Sequence, residues 1–437
     1  MKLSNALRSV SYLSLAQIAR IGFSTLGSMF VIRYLGPTQY GTLAFVSATV
    51  TLFSALVSLP QHGLIVRELA NVGENDRSSA ISSAFALRLI GAPLQIICSL
   101  IAVIVLGHTG SIVLFTLFAA TAYLAAPFQT IRSELEFDGK FGIVSSIDFF
   151  TSAASTGVKL LLIFFNAPLI WFAAITLFDA ALQILIYLSL KSDKTKILNI
   201  KKIRKSTTVE YFKSGIPLIL SGIAIAIFTR TDVIFITKMI DETHAGIYSA
   251  GIRVVEATFF LPSIIMSVSF PKIARLYYQD KKKYETEISK YILAITLIGI
   301  FISTVVSASS WYVIPLLLGD TYVAASKIIN ITIWSIIIVG LNSAINTILT
   351  LERATKVSFY ISIIGAVTNI LLNYILIPIY GISGAAIATI VAQVSGLLFL
   401  PLLYQKHNIF SMMTKPLYPG FIINEIILPL TKGEQKK

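Results

Sequence analysis

Nine ionisable residues lie inside long apolar stretches of this chain: Arg20, Arg88, Lys159, Arg230 and Arg253, with Asp148, Asp179, Asp232 and Glu256. Charge in an apolar segment of membrane-spanning length is costly, and it marks a cavity, an ion path or a mutual pair. The cations are of the types that hold phosphate. A planar guanidinium takes two phosphate oxygens at once, and an ammonium acts as a point charge. In a water-filled cavity they would bind a polyanionic group, and an acid beside them would give a proton or Na⁺ a place to load and leave.

Each charge also has a structural reading. Arg20 lies about eight residues, or ~12 Å, into its segment, which is deep for a side chain to snorkel out. Arg88 stands about five residues from its predicted helix start, where snorkelling to the cytoplasmic surface is an equal reading. Asp148 and Lys159 are eleven residues apart, on nearly one helical face but ~16 Å from each other. They share a face without pairing. Asp232 and Arg253 fall at like depth, Arg230 and Glu256 come next, and Arg253 and Glu256 are i,i+3 neighbours. A structural ion-pair cluster is expected of these four, and the competing reading makes Asp232 an ion-coupling site. Asp179 has no sequence-local partner and is the second coupling candidate. Arg20 and Lys159 emerge as the leading anion ligands. Asn342, Asn346, Asn369 and Asn373 place amides at i,i+4, suited to hydrogen-bonding sugars or to joining two helices.

The elements that hold these residues are membrane helices. The chain has 437 residues, of which 55% are hydrophobic and 13% charged, against about 25% charged in soluble domains. Twelve stretches reach spanning length: 12–32, 41–60, 83–106, 111–131, 143–165, 168–190, 214–238, 246–270, 288–314, 323–349, 357–378 and 383–403. Pro315 is expected to break the outer end of the ninth. Lys and Arg crowd the even-to-odd connections, above all Lys191 to Lys213 and Lys272 to Lys290, while Arg33, Lys238 and Lys327 alone fall on the other side. That bias predicts an even helix count with both termini cytoplasmic. The net charge of +14 is then an attraction to an anionic leaflet rather than to nucleic acid.

Nothing points to catalysis or a cofactor. There is no Gly-x-x-x-x-Gly-Lys loop for a nucleotide. His62, His108, His244 and His407 show no metal-ligand spacing, and Cys98 is the only cysteine, so no disulfide forms within the chain.

The basic segment 191–213 divides the chain into a six-helix bundle at 1–190 and another at 214–403, with a cytoplasmic tail at 404–437. The tail's apolar run, 421–430, is too short to span and reads as interfacial or disordered. The halves look alike. Tyr34-Leu35-Gly36-Pro37-Thr38-Gln39-Tyr40-Gly41 joins the first two spans, and Met239-Ile240-Asp241-Glu242-Thr243-His244-Ala245-Gly246 joins the seventh and eighth, with the final glycines in register. Ala173-Ala174-Ile175 likewise matches Ala385-Ala386-Ile387. Both halves start on one side, so a parallel repeat about an axis along the membrane normal is expected.

Gly36-Pro37-Thr38-Gln39-Tyr40-Gly41, and Arg230-Thr231-Asp232-Val233-Ile234-Phe235-Ile236 continuing to Ala245-Gly246-Ile247-Tyr248-Ser249-Ala250, resemble the corresponding passages of the bacterial polysaccharide-export family. That family belongs to the multidrug/oligosaccharidyl-lipid/polysaccharide exporter superfamily, and its O-antigen flippases look most similar. The likeness covers nearly the whole chain. It implies an all-α polytopic fold of twelve transmembrane helices in two bundles around a central cavity, in a bacterial inner membrane. It also implies a substrate, an undecaprenyl-pyrophosphate-linked oligosaccharide moved between leaflets by alternating access, with H⁺ or Na⁺ as counter-ion and a polysaccharide polymerase and chain-length protein as partners. Lipid II flippases of the superfamily generally carry two further C-terminal helices, so the resemblance points away from them. Cation-coupled multidrug export is the alternative within the superfamily, disfavoured by a cavity richer in Arg and Lys than in acid. A glycan polymerase would want a large outer loop, and the predicted outer loops are short.

Overall fold

The computed structural model describes residues 3–190, 203–352, 354–404 and, beyond these, 412, 414, 415 and 418, with side chains from residue 22 onward except 74, 75, 267, 268 and 355. The basic segment 191–202 and the apolar run 421–430 lie outside the described residues, as does the side chain of Arg20. Regular structure among the described residues is helical. The first part of the chain forms α1 (Leu3–Leu52), α2 (His62–Asn71), α3 (Glu74–Val105), α4 (Ser111–Thr121), α5 (Gln129–Phe137), α6 (Phe141–Phe164) and α7 (Leu169–Leu190). The second forms α8 (Lys205–Met239), α9 (Glu242–Glu256), α10 (Phe260–Gln279), α11 (Lys281–Leu318), α12 (Ala325–Thr332), α13 (Ser335–Leu351), α14 (Thr355–Tyr380) and α15 (Ile382–Leu403).

Eleven helices among the described residues are long and apolar enough to cross a membrane. The first, Gly22–Leu56, takes in most of two predicted spans. Inside it Gly36 has φ 69° and ψ 173°, a left-handed, non-helical conformation open to glycine at little cost. Pro37 follows, its fixed φ suited to restarting a helix. Side chains such as Val105, Phe164, Leu316 and Leu402 stand exposed on the outer faces, as lipid-facing positions do. The protein is thus an all-helical, multi-pass membrane protein.

Several predicted spans prove to be composite. Residues 111–131 run through α4 and a 3-10 turn, Ala122–Phe128, that contains Pro127. Residues 246–270 divide between α9 and α10 at Ala257–Phe259, and 323–349 between α12 and α13. Pro315 does not break its helix as expected. α11 continues one turn past it to Gly319, whose N–H donates to the Pro315 carbonyl at 2.9 Å and whose φ of 99° ends the helix.

α1 is the central element, packing on α6, α8 and α9. The two hinges aligned by sequence meet there. Thr38 Oγ1 and Thr243 Oγ1 share a hydrogen bond of 2.8 Å across 205 residues, the same separation as Gly41 and Gly246. A Cβ on Gly41 would strike the Glu242 carbonyl and the Gly246 amide; one on Gly246 would strike the Pro37 carbonyl and the Gly41 amide. The contact is reciprocal and backbone to backbone, and only glycine allows it.

Candidate functional site

A cavity of about 560 Å³ opens between α1, α6 and α7 on one side and α9 and α10 on the other. Asp148, Lys159, Asp179, Arg253 and Glu256 line it, with hydroxyls from Ser24, Thr25 and Ser155. It adjoins a second cavity of about 400 Å³ that shares Lys159, Arg253 and Glu256 and adds Arg230, Asp232, Tyr248, Thr389 and Gln393. Helical spacing puts these groups in place. Ser155 and Lys159 are one turn apart on α6, as are Arg253 and Glu256, nearly, on α9.

The charges sort by partner. Glu256 holds Arg230 at 3.0 Å. Asp148 holds Arg132 of α5 at 2.9 Å, and Arg132 also binds Glu136 at 2.8 Å. Arg132 falls just past the predicted span 111–131, and α5 brings it to the cavity-lining Asp148. Lys159 and Arg253 make no ion pair within 4.0 Å among the described residues; Arg253 reaches Ser28 Oγ at 3.3 Å. Asp179 accepts from Ser155 Oγ at 3.0 Å, and its other oxygen is buried without a hydrogen bond among the described residues. Among the described residues the lining thus holds Lys159 and Arg253 against Asp148, Asp179 and Glu256, so the expected excess of cations over acids is not met; with Asp148 and Glu256 each held by an arginine, Lys159 and Arg253 are the cations without an ion pair within 4.0 Å.

Arg88 lines neither cavity. It is 5% exposed and donates to the Pro60 carbonyl at 2.8 and 3.3 Å and to the Ala126 carbonyl at 3.2 Å. α3 begins at Glu74, earlier than predicted, so Arg88 stands about four turns in rather than near an end. Its guanidinium ties the end of α1's connection to the 3-10 turn before α5.

Asp232 departs from the expected four-charge cluster. It does not meet Arg253. The residue is 2% exposed, and its carboxylate accepts from four neutral donors: Tyr248 Oη at 2.6 Å, Asn369 Nδ2 at 2.9 Å, Asn373 Nδ2 at 2.5 Å, and Thr389 Oγ1. Depth along α8 and α9 put Asp232 level with Arg253, but helix rotation turns Asp232 toward α14 and α15. The amide pair Asn369 and Asn373 was visible in sequence; its target was not. Tyr248 and Thr389 gave no signal, since one buried hydroxyl in a span looks like any other. A buried carboxylate compensated only by neutral dipoles is a place where a small cation could be held, because the surrounding donors also carry oxygen ligands. Among the described residues the buried Asn373 Oδ1 has no hydrogen bond.

Comparison with known proteins agrees with this architecture. The family model described as "Polysaccharide biosynthesis protein" matches residues 6–277, and the MatE model matches 217–375. A putative O-antigen transporter of Shigella flexneri is 23% identical over 389 residues, 86% of this chain and 92% of that protein. A probable low-salt glycan biosynthesis flippase of Haloferax volcanii is 24% identical over 387 residues, 87% of this chain and 80% of its own. Among solved structures, the lipid II flippase MurJ in an inward closed conformation superposes with a TM-score of 0.73 at 16% identity, covering 93% of this chain and 90% of that one.

Proposed function

Because the chain belongs to the polysaccharide biosynthesis protein family, we propose that it is a flippase, moving a lipid-linked oligosaccharide, of the undecaprenyl-pyrophosphate type, across a bacterial inner membrane. The observation that carries this is the pair Lys159 and Arg253, two cations with no ion pair within 4.0 Å among the described residues, facing one cavity. A pyrophosphate supplies the charge they lack, and guanidinium and ammonium suit its oxygens. The sugars occupy the remaining cavity, and the polyprenyl tail stays in lipid. The relatives named for O-antigen transport and glycan flipping support the same substrate class.

In this reading the break at Gly36 counts two helices in the first span, giving twelve, with both termini cytoplasmic and two six-helix halves related by the reciprocal hinge contact. The halves rock about the cavity, and the Gly41–Gly246 contact closes its outer end. Asp232 is the coupling group: a proton or Na⁺ loads there and leaves as the halves exchange position. A polymerase and a chain-length protein receive the exported unit. The other reading, cation-coupled multidrug export, draws on the MatE match and on the acids that line the cavity, but two of those acids, Asp148 and Glu256, are each held by an arginine.

Deleting the gene in its host should remove surface polysaccharide and leave lipid-linked oligosaccharide in the inner leaflet, with both restored by a plasmid copy. Undiminished surface polysaccharide in the deletion strain contradicts the proposal.

A further inference from the structure

A third cavity, about 470 Å³, lies wholly within the second half of the chain and carries no charge. Its wall is a polar stripe on α13, where Asn342, Asn346 and Thr350 recur at every fourth position, faced by Phe228 of α8, Phe270 of α10 and Gln393 of α15. Gln393 also lines the cavity that holds Arg253 and Asp232. The three spaces thus connect through shared lining residues, two of them charged and the third neutral.

The neutral cavity holds unspent hydrogen-bonding capacity. Gln393 Oε1 is buried with no partner, and Asn342 makes no hydrogen bond among the described residues. Asn346 Oδ1 accepts from Ser358 Oγ at 3.1 Å, so that residue partly serves to join α13 and α14. Buried polar atoms without partners are rare in folded proteins and call for a guest or water. A helix crossing a membrane does not turn a stripe of amides and hydroxyls to lipid. Amides offer both donors and acceptors, and the two phenylalanines add apolar surface. That combination fits the hydroxyls and C–H faces of an uncharged pyranose and fits neither a phosphate, which wants cations, nor an acyl chain, which wants no amides.

We propose that this cavity is a separate subsite for the neutral sugars of the cargo, distinct from the charged cavity whose Lys159 and Arg253 take its pyrophosphate. The assignment rests on the flippase reading and deepens it. Position adds a consequence. Phe228 is one turn from Asp232 on α8, and Gln393 is one turn from Thr389 on α15. Sugar seated here presses on the same two helix turns that hold the buried carboxylate, so glycan identity and ion loading are read by adjoining residues.

Native mass spectrometry of the purified full chain separates the two subsites with two probes: lipid-linked oligosaccharide extracted from the host's membranes, and undecaprenyl pyrophosphate without sugar. The double variant Asn342→Leu/Thr350→Val, at residues that line only the neutral cavity, should bind the glycolipid about tenfold more weakly and bind undecaprenyl pyrophosphate as the unchanged protein does. Arg253→Glu should lose both. Retained binding of the sugar-free lipid shows that the double variant is folded, and Phe270→Ala, at a half-exposed position, should repeat its pattern. Glycolipid binding undiminished in the double variant, or both probes lost to the same degree, overturns the subsite. Failure of the unchanged protein to bind either lipid overturns instead the flippase reading beneath it.

Discussion

Arg253 and Glu256 stand one turn apart on α9, yet only the glutamate is ion-paired among the described residues: it holds Arg230 at 3.0 Å, while Arg253 touches Ser28 Oγ at 3.3 Å. Position along one helix therefore separates a cation-holding acid from a cation left for a guest. Reversing the charge in Arg253→Glu should abolish glycan export with the protein still inserted and folded, and Lys159→Glu should do the same. Glu256→Gln should instead act through stability, lowering it by about 1–2 kcal/mol, since the pair it breaks is about a third exposed. Surface glycan and thermal unfolding in detergent, measured together, distinguish these outcomes.

Asp232→Asn preserves volume and most hydrogen bonding but removes the charge that holds a cation. It should keep the fold and lose ion-driven transport. Because Asp232 meets Tyr248, Asn369, Asn373 and Thr389 rather than Arg253, exchanging the two residues, Asp232→Arg with Arg253→Asp, should not restore export. Rescue by the exchange would mean that the two charges pair during the cycle.

Arg88 gives the opposite signature. Its three hydrogen bonds go to backbone carbonyls, so Arg88→Met should lower stability by about 3 kcal/mol and leave substrate affinity per folded molecule unchanged. Loss of affinity without loss of stability would place Arg88 among the ligands after all.

The hinge contact can be locked. With Cys98→Ser as background, Thr38→Cys and Thr243→Cys put two thiols where the hydroxyls now lie 2.8 Å apart. Oxidation should join them and stop export, and reduction should restore it. Full export by the crosslinked protein would show that this contact need not open. Gly41→Ala or Gly246→Ala, which no longer fits the contact, should shift the protein away from the closed form.

Asp241 caps α9, accepting from His244 N at 2.8 Å and its ring at 2.9 Å. Burial pushes its carboxyl up, but the His244 hydrogen bonds outweigh that and hold it below the usual carboxylate range. Because the folded-state value is depressed, the stabilisation is present at neutral pH and fades as pH falls below about 4. Asp241→Ala should cost about 1 kcal/mol at pH 7 and progressively less in acid. A constant difference across that window would contradict the capping role.

Hydropathy made the membrane-spanning helices legible, because the bilayer imposes length and composition on each segment independently. The hinge register was legible too, since Gly36-Pro37 and the terminal glycines leave local marks. Rotation about each helix axis was not. Depth could be counted in residues, and it put Asp232 beside Arg253, but the direction a side chain faces depends on which neighbour packs there. Arg88 was misplaced because polar residues from Glu74 to Ser83 hid nine residues of helix before the apolar stretch. Arg132 escaped notice because a 3-10 turn extends the fourth span into α5.

The most direct test of the flippase account is transport in proteoliposomes holding purified protein, an ion gradient and host lipid-linked oligosaccharide labelled on its sugar. The unchanged protein should move the label to the opposite leaflet in a gradient-dependent way, and Arg253→Glu should leave it where it began. Label movement no faster than in protein-free vesicles, or equally fast with Arg253→Glu, would contradict the account.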